Sequence, residues 1–181
     1  MTRSELEHLI RASGAIADDH ELIIIGSQAI LAQFPKAPPA LLVSMETDLY
    51  PKNRPERAEL VDASIGEGSY FHEQFGYYVQ GVSAKTAILP AGWEKRLVRI
   101  DNENTNGIAG LCLEVHDLAI SKYVAGRPKD REFTRELARN GMVKLQTLRR
   151  RLEKTKLTQA QRKTIRSAIE ADFRKSPRKE R

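Results

Sequence analysis

Apolar residues recur along this chain with two different periods, and each period marks an element. Leu6, Leu9 and Ile10 lie three and four positions apart behind Ser4 and Glu7, a capping-box pair, so a first helix is expected over residues 4–17. Leu22-Ile23-Ile24-Ile25 is short and apolar on both faces, as in a buried strand, and Gly26 ends it. Residues 28–34 read as a short helix, stopped by Pro35 and Pro38-Pro39. Over residues 41–50 the period becomes two. Val43, Met45, Thr47 and Leu49 then face opposite to Ser44, Glu46, Asp48 and Tyr50, which puts both acids on one face of a second strand.

Pro55 opens a further helix with Ala58, Leu60 and Val61 as its apolar side, and Gly66-Glu67-Gly68-Ser69 is a turn. Tyr77-Tyr78-Val79-Gln80-Gly81-Val82, Leu97-Val98-Arg99-Ile100 and Leu111-Cys112-Leu113 carry strand patterns, with a loop over residues 102–107. From Val115 the pattern is helical, over residues 115–125, 128–140, 142–154 and 158–173. Thr158 is the expected cap of the last helix, and Ile165, Ile169 and Phe173 form its buried stripe. The fold class is therefore α+β: a helix-flanked mixed sheet over residues 1–114, a helical part over 115–174 packed on it, and a disordered basic tail over 175–181.

Composition adds one asymmetry. The net charge of +6 divides into 14 Lys or Arg against 4 Asp or Glu over residues 144–181, and 16 against 20 before them. A segment so basic suits a polyanion such as RNA, because neutralised phosphates release condensed counterions; a solvated helical face is the alternative. The start of the chain lacks the basic flank and apolar centre of a signal peptide, and no run reaches the roughly 20 apolar residues of a membrane span, so a cytoplasmic protein without a membrane partner is expected. Cys112 is the only cysteine. That excludes an internal disulfide and a cysteine-clustered zinc site, and its apolar neighbours make it a core residue.

The chemistry concentrates in three places. A strand breaking at Gly26-Ser27 offers backbone N–H groups and a hydroxyl to a phosphate. Glu46 and Asp48, on one strand face, are spaced to hold Mg²⁺ ions that also bind substrate phosphates, unless they are simply solvated acids on an edge strand. Residues 122–130, Lys-Tyr-Val-Ala-Gly-Arg-Pro-Lys-Asp, read as a helix end at Gly126 and a new start at Pro128 with Asp130 in its first turn. His8, His20, His72 and His116 show no ligand spacing, His116 beside Asp117 suits a helix start, and Trp93 suits loop packing.

The segments Ile25-Gly26-Ser27-Gln28-Ala29-Ile30-Leu31, Met45-Glu46-Thr47-Asp48-Leu49-Tyr50 and residues 122–130 resemble motifs of nucleotidyltransferase-like proteins of unknown function, a bacterial subgroup related to the AbiEii/MenA toxins. The resemblance spans most of residues 20–150, including Gly76-Tyr77-Tyr78 and Leu89-Pro90-Ala91-Gly92-Trp93. It implies a DNA polymerase β-type nucleotidyltransferase fold, with Gly26 and Ser27 at the triphosphate, Glu46 and Asp48 at one or two Mg²⁺ ions, Lys122 and Arg127 at nucleotide phosphates and Asp130 near the reacting hydroxyl. Glu46, Asp48, Lys122 and Asp130 would be the catalytic set. It further implies an NTP substrate, an acceptor that is RNA, tRNA-like, or protein, and an antitoxin partner if the chain is the toxin of a two-gene module. The chain departs from the wider pattern in having Glu46 where Asp is usual, and in the length of the segment, residues 28–45, that follows Ser27. Asp101 is the candidate for a third carboxylate. A weakened nucleotidyltransferase fold that binds nucleic acid or protein is the competing expectation.

Overall fold

A computed structural model describes residues 1–174, and the expected basic tail over 175–181 lies outside the described residues. The described residues form two compact units: Met1–Thr86 with Arg96–Glu114, and Ala87–Lys95 with residues 115–174.

In the first unit, helix α1 (Arg3–Ala17) leads into β1 (Glu21–Ile24), followed by β2 (Glu46–Pro51), α2 (Ala58–Ile65), α3 (Tyr70–Phe75), β3 (Tyr78–Gly81), β4 (Val98–Ile100) and β5 (Ala109–Cys112). The five strands form one mixed sheet in the order β3-β2-β1-β5-β4. β1 pairs antiparallel with β2 and parallel with β5, β2 parallel with β3, and β4 antiparallel with β5. Register rows explain the core. Ile24, Leu49 and Cys112 align across three strands, and a methyl at Gly110 would run into Ile10 of α1 and Ile24, so this face carries α1. Leu6, Leu9, Ile10, Ile24 and Leu49 are fully buried there, and this apolar burial is the main term holding helix to sheet.

Local chemistry shifts several boundaries. Thr2, not Ser4, caps α1: its hydroxyl accepts from the Glu5 N–H, and the Glu5 carboxylate accepts from the Thr2 N–H. Glu7 is instead buried and takes bonds from Arg3, Asn102 and Asn104. The second strand begins only at Glu46; Val43 and Met45 are 77% and 42% exposed, and residues 39–41 make a 3₁₀ turn. α3 fills the stretch left unassigned between the expected turn over residues 66–69 and the strand from Tyr77: the Ser69 hydroxyl caps it and Gly76, at φ +76°, ends it in the left-handed region that glycine tolerates. In α2 the inward stripe is Ala58, Val61 and Ile65, which leaves Leu60 outside.

The second unit is built from α4 (Val115–Ala125), α5 (Pro128–Arg139), α6 (Leu145–Glu153) and α7 (Gln159–Arg174). Leu118, Phe133, Leu137, Leu148, Leu152, Ile165 and Ile169 form its core, with Phe173 half-buried. Thr158 caps α7, its hydroxyl accepting from the Gln161 N–H. Asp172 accepts from the Tyr123 hydroxyl at 2.9 Å and the Thr134 hydroxyl at 3.3 Å, which ties α7 to α4 and α5. Residues 87–95 join this unit despite preceding β4, since the Ala91 N–H donates to the Lys154 carbonyl and Pro90 bridges Thr155.

Candidate active site

The site residues of the first unit gather at the end of the sheet where β1 stops. The β1–β2 ladder runs past Ile24: the Asp48 carbonyl accepts from the N–H groups of Ile25 at 3.0 Å and Gly26 at 3.4 Å. Gly26 therefore lies directly against Asp48. A Cβ on Gly26 would stand 2.6 Å from Asp48 Oδ2 and 3.0 Å from its backbone nitrogen, a space that a side chain cannot share. Gly26 is extended, at φ −76° and ψ −179°, so room rather than backbone freedom requires glycine here. Ser27 then opens the 3₁₀ turn Ser27–Ala32.

The long segment over residues 28–45 leaves this geometry intact because its ends are tied down. Buried Gln28 donates through Nε2 to the Ser44 carbonyl at 2.8 Å, and the Met1 ammonium donates to the Leu42 carbonyl at 2.6 Å. Ser44 Oγ in turn accepts from the Glu46 N–H at 3.3 Å. Glu46 enters the strand two residues before Asp48, and both are half-buried on one face while Thr47 and Leu49 are buried on the other. β2 lies between β1 and β3, so these are not acids of an edge strand.

Beside them, β3 sets Tyr78 opposite Glu46 and Gln80 opposite Asp48. The Tyr78 hydroxyl donates to Glu46 Oε2 at 3.4 Å, and its pKa is raised by burial first, then by the negative charges of Glu46, Glu67 and Asp48. The His72 ring packs on Tyr78 at 4.5 Å, and His72 Nδ1 accepts from the Gly68 N–H. The sequence shows no role for Tyr78, His72 or Gln28, because strand register brings in Tyr78, a six-residue helix His72 and the 3₁₀ turn Ser27–Ala32 Gln28. The one signal available was the paired Tyr77-Tyr78, whose alternation must bury one ring and turn the other toward the acids' face.

Asp101 does not join this group. β4 runs antiparallel to β5, with Val98 beside Cys112 and Ile100 beside Gly110, so the chain leaves β4 at the end of the sheet where β1 begins. Strand rise along the sheet and the strand spacings between β4 and β2 put Asp101 roughly 20 Å from Asp48. Asp101 is paired there with Arg99 at 2.8 Å. Among the described residues no three His, Cys, Asp or Glu side chains form a metal-holding group. Two hard carboxylates nevertheless fit Mg²⁺, which is commonly held by one or two carboxylates together with substrate phosphates and waters. The clearance that Gly26 leaves at Asp48 Oδ2 suits the same purpose.

In the second unit, Lys122, Arg127 and Asp130 form a cluster. α4 ends at Gly126, at φ +66°, and Arg127 caps α5, with its N–H donating to Asp130 Oδ2 at 3.2 Å. Asp130 is 1% exposed; it lies 3.4 Å from Lys122 Nζ and 2.7 Å from Arg127 Nε. Burial pushes the Asp130 carboxyl up, but the Arg127 hydrogen bonds and the charges of Lys122 and Arg127 outweigh it, and its pKa is lowered. Asp130 is thus a fixed anion, better suited to orienting cations than to taking a proton. Lys122 is nearly buried and sits 5.9 Å above the Phe133 ring.

The remaining candidates have structural places. Burial pushes the Cys112 thiol up to about 12, the opposite of an activated nucleophile. His116 accepts from the Lys144 N–H, and His8 meets the Tyr77 hydroxyl at 2.8 Å amid Phe71 and Phe75. No helix among the described residues is long and apolar enough to cross a membrane.

Neither a curated protein nor a solved structure matches the chain. A family model described as nucleotidyltransferase of unknown function, DUF6036, matches residues 4–181. With an α+β architecture built on a five-stranded mixed sheet, the chain belongs to this nucleotidyltransferase family.

Proposed function

We propose that the chain is a Mg²⁺-dependent nucleotidyltransferase of DNA polymerase β type that moves a nucleotide from an NTP to RNA. The observation that carries this reading is the contact of Gly26 with Asp48, in which a strand-end glycine leaves space beside a carboxylate that has Glu46 on the same strand face. The Gly26-Ser27 backbone and the Ser27 hydroxyl would bind phosphate oxygens, and Glu46 and Asp48 would hold the metal. When bound, Mg²⁺ supplies charge neutralisation and polarisation at the α-phosphate. The acceptor hydroxyl oxygen bonds to the α-phosphorus, the bond to the β-phosphate oxygen breaks, pyrophosphate departs and the hydroxyl proton passes to solvent. Lys122 and Arg127 are assigned to phosphate contacts, and Asp130 to holding the Lys122 ammonium in place, since its carboxylate is engaged by both cations.

RNA is favoured as acceptor by the basic segment over residues 144–181. A role as the toxin of a two-gene module rests on the AbiEii/MenA resemblance, and its partner would then be an antitoxin protein. The test is transfer of label from α-labelled NTPs to RNA with Mg²⁺ present. Asp48→Asn should lower transfer at least about 100-fold, as expected when a reacting group is misplaced by an ångström. Its unfolding free energy should stay within about 0.5 kcal/mol, the usual range for a side chain outside the core. Transfer that survives Asp48→Asn, or labelling of no RNA by any NTP, would count against the reading.

A further inference from the structure

We infer that Tyr78 is a positioning residue for Glu46, the hydroxyl that aims this carboxylate at the metal. The inference rests on the reading of Glu46 and Asp48 as metal ligands and concerns a residue to which the resemblance gives no role. Glutamate has one more rotatable bond than aspartate, so its carboxylate samples more positions unless something holds it. The parallel β2–β3 register puts Tyr78 beside Glu46, and its hydroxyl donates to Oε2 at 3.4 Å, a long hydrogen bond. Tyr78 is itself held. Its N–H donates to the Met45 carbonyl at 3.0 Å, and the His72 ring lies 4.5 Å from its own. His72 is fixed in turn by the Gly68 N–H at Nδ1, 3.0 Å away.

The neighbouring strand shows why such a group is needed. Gln80 faces Asp48 and Tyr78 faces Glu46, so β3 contributes no carboxylate to the pair, and no group of three acids stands among the described residues. A donor that binds a ligating carboxylate fixes its orientation, which is how partners of metal ligands act in general; losing one costs about 10- to 100-fold in metal affinity. Tyr78 thus does for the longer Glu46 what a shorter side chain achieves with less freedom.

The test is titration of the full chain with Mn²⁺ alone, followed by electron paramagnetic resonance, in a double-mutant cycle. Tyr78→Phe should weaken Mn²⁺ binding about tenfold in the otherwise unsubstituted chain and have no effect in the Glu46→Ala background. A merely structural hydroxyl would give the same penalty in both backgrounds, and that result would overturn the inference. So would unchanged Mn²⁺ affinity in Tyr78→Phe. Failure of the unsubstituted chain to bind Mn²⁺ at all would overturn the metal-site reading and this inference with it, an outcome distinct from the other two.

Discussion

At the residue scale, the meeting of Gly26 and Asp48 carries the most weight, and it is a statement about volume. A methyl at Gly26 must occupy a point 2.6 Å from Asp48 Oδ2, and the backbone nitrogen of Asp48, 3.0 Å away, blocks retreat. Gly26→Ala should therefore destabilise the chain by about 1–3 kcal/mol, the usual cost of overpacking, as measured by urea denaturation. It should also displace the Asp48 carboxylate, so Mn²⁺ binding should fall by more than the same titration shows for Tyr78→Phe. Unchanged stability together with unchanged Mn²⁺ affinity would refute the steric account. The buried Lys122–Asp130 pair predicts a different outcome. Asp130→Asn leaves a nearly buried ammonium short of its anion, and unfolding free energy should drop by about 3–5 kcal/mol. Lys122→Met combined with Asp130→Asn should recover part of that loss, because no uncompensated charge is then buried.

At the scale of elements, what the sequence revealed depended on whether local chemistry or register made the decision. The buried strand before Gly26, the same-face placement of Glu46 and Asp48, and the helices from Val115 onward follow from periodicity and stop signals, and all are present. The start of β2, the capping of α1 by Thr2, and the existence of α3 were not legible, since each depends on a few side chains competing for backbone groups. The distance of Asp101 from the site was out of reach for another reason: strand order and direction decide it. Tyr78 came in the same way. The β1–β2 pair is also fixed at its far end, where Asp19 accepts from the backbone N–H groups of Glu21, Asn53 and Arg54 and from the Asn53 side chain. Burial alone would raise the Asp19 carboxyl, but these bonds bring it below its ordinary value of 3.8. A depressed carboxyl contributes its stability in full above about 3.8 and loses it as pH falls from there through the folded-state value. Asp19→Asn should therefore cost about 1–3 kcal/mol at pH 7, and the gap from the unsubstituted chain should narrow below pH 3.8 in urea titrations.

At the scale of the whole molecule, charge is the property that composition overstated. The excess over residues 144–181 invites the expectation of a continuous basic surface, yet many of its arginines are engaged within the second unit. Arg149 pairs with Glu170 at 2.8 Å, Arg162 with Glu153 at 3.6 Å, Arg166 with the same Glu153, and Arg151 with buried Asp117 at 3.1 Å. Such arginines tie α6 to α4 and α7, and each would have to give up a carboxylate before meeting a phosphate. Lys154, Lys156 and Lys163 are exposed, and an ammonium on a flexible stem can reach a phosphate without that cost. If RNA is the acceptor, these lysines should carry a measurable share of its salt dependence. Each phosphate contact on a single strand contributes about 0.7 to the slope of log K against log salt, so changing all three to Gln should flatten the slope by about 2. Fluorescence anisotropy with a single-stranded RNA at several salt concentrations reads this directly. Mn²⁺ affinity should be unchanged in the triple variant, because none of the three lysines is among the residues assigned to the metal. A slope equal to that of the unsubstituted chain would transfer the acceptor contacts away from these lysines, and a slope near zero in both would remove RNA as the acceptor while leaving the metal site standing.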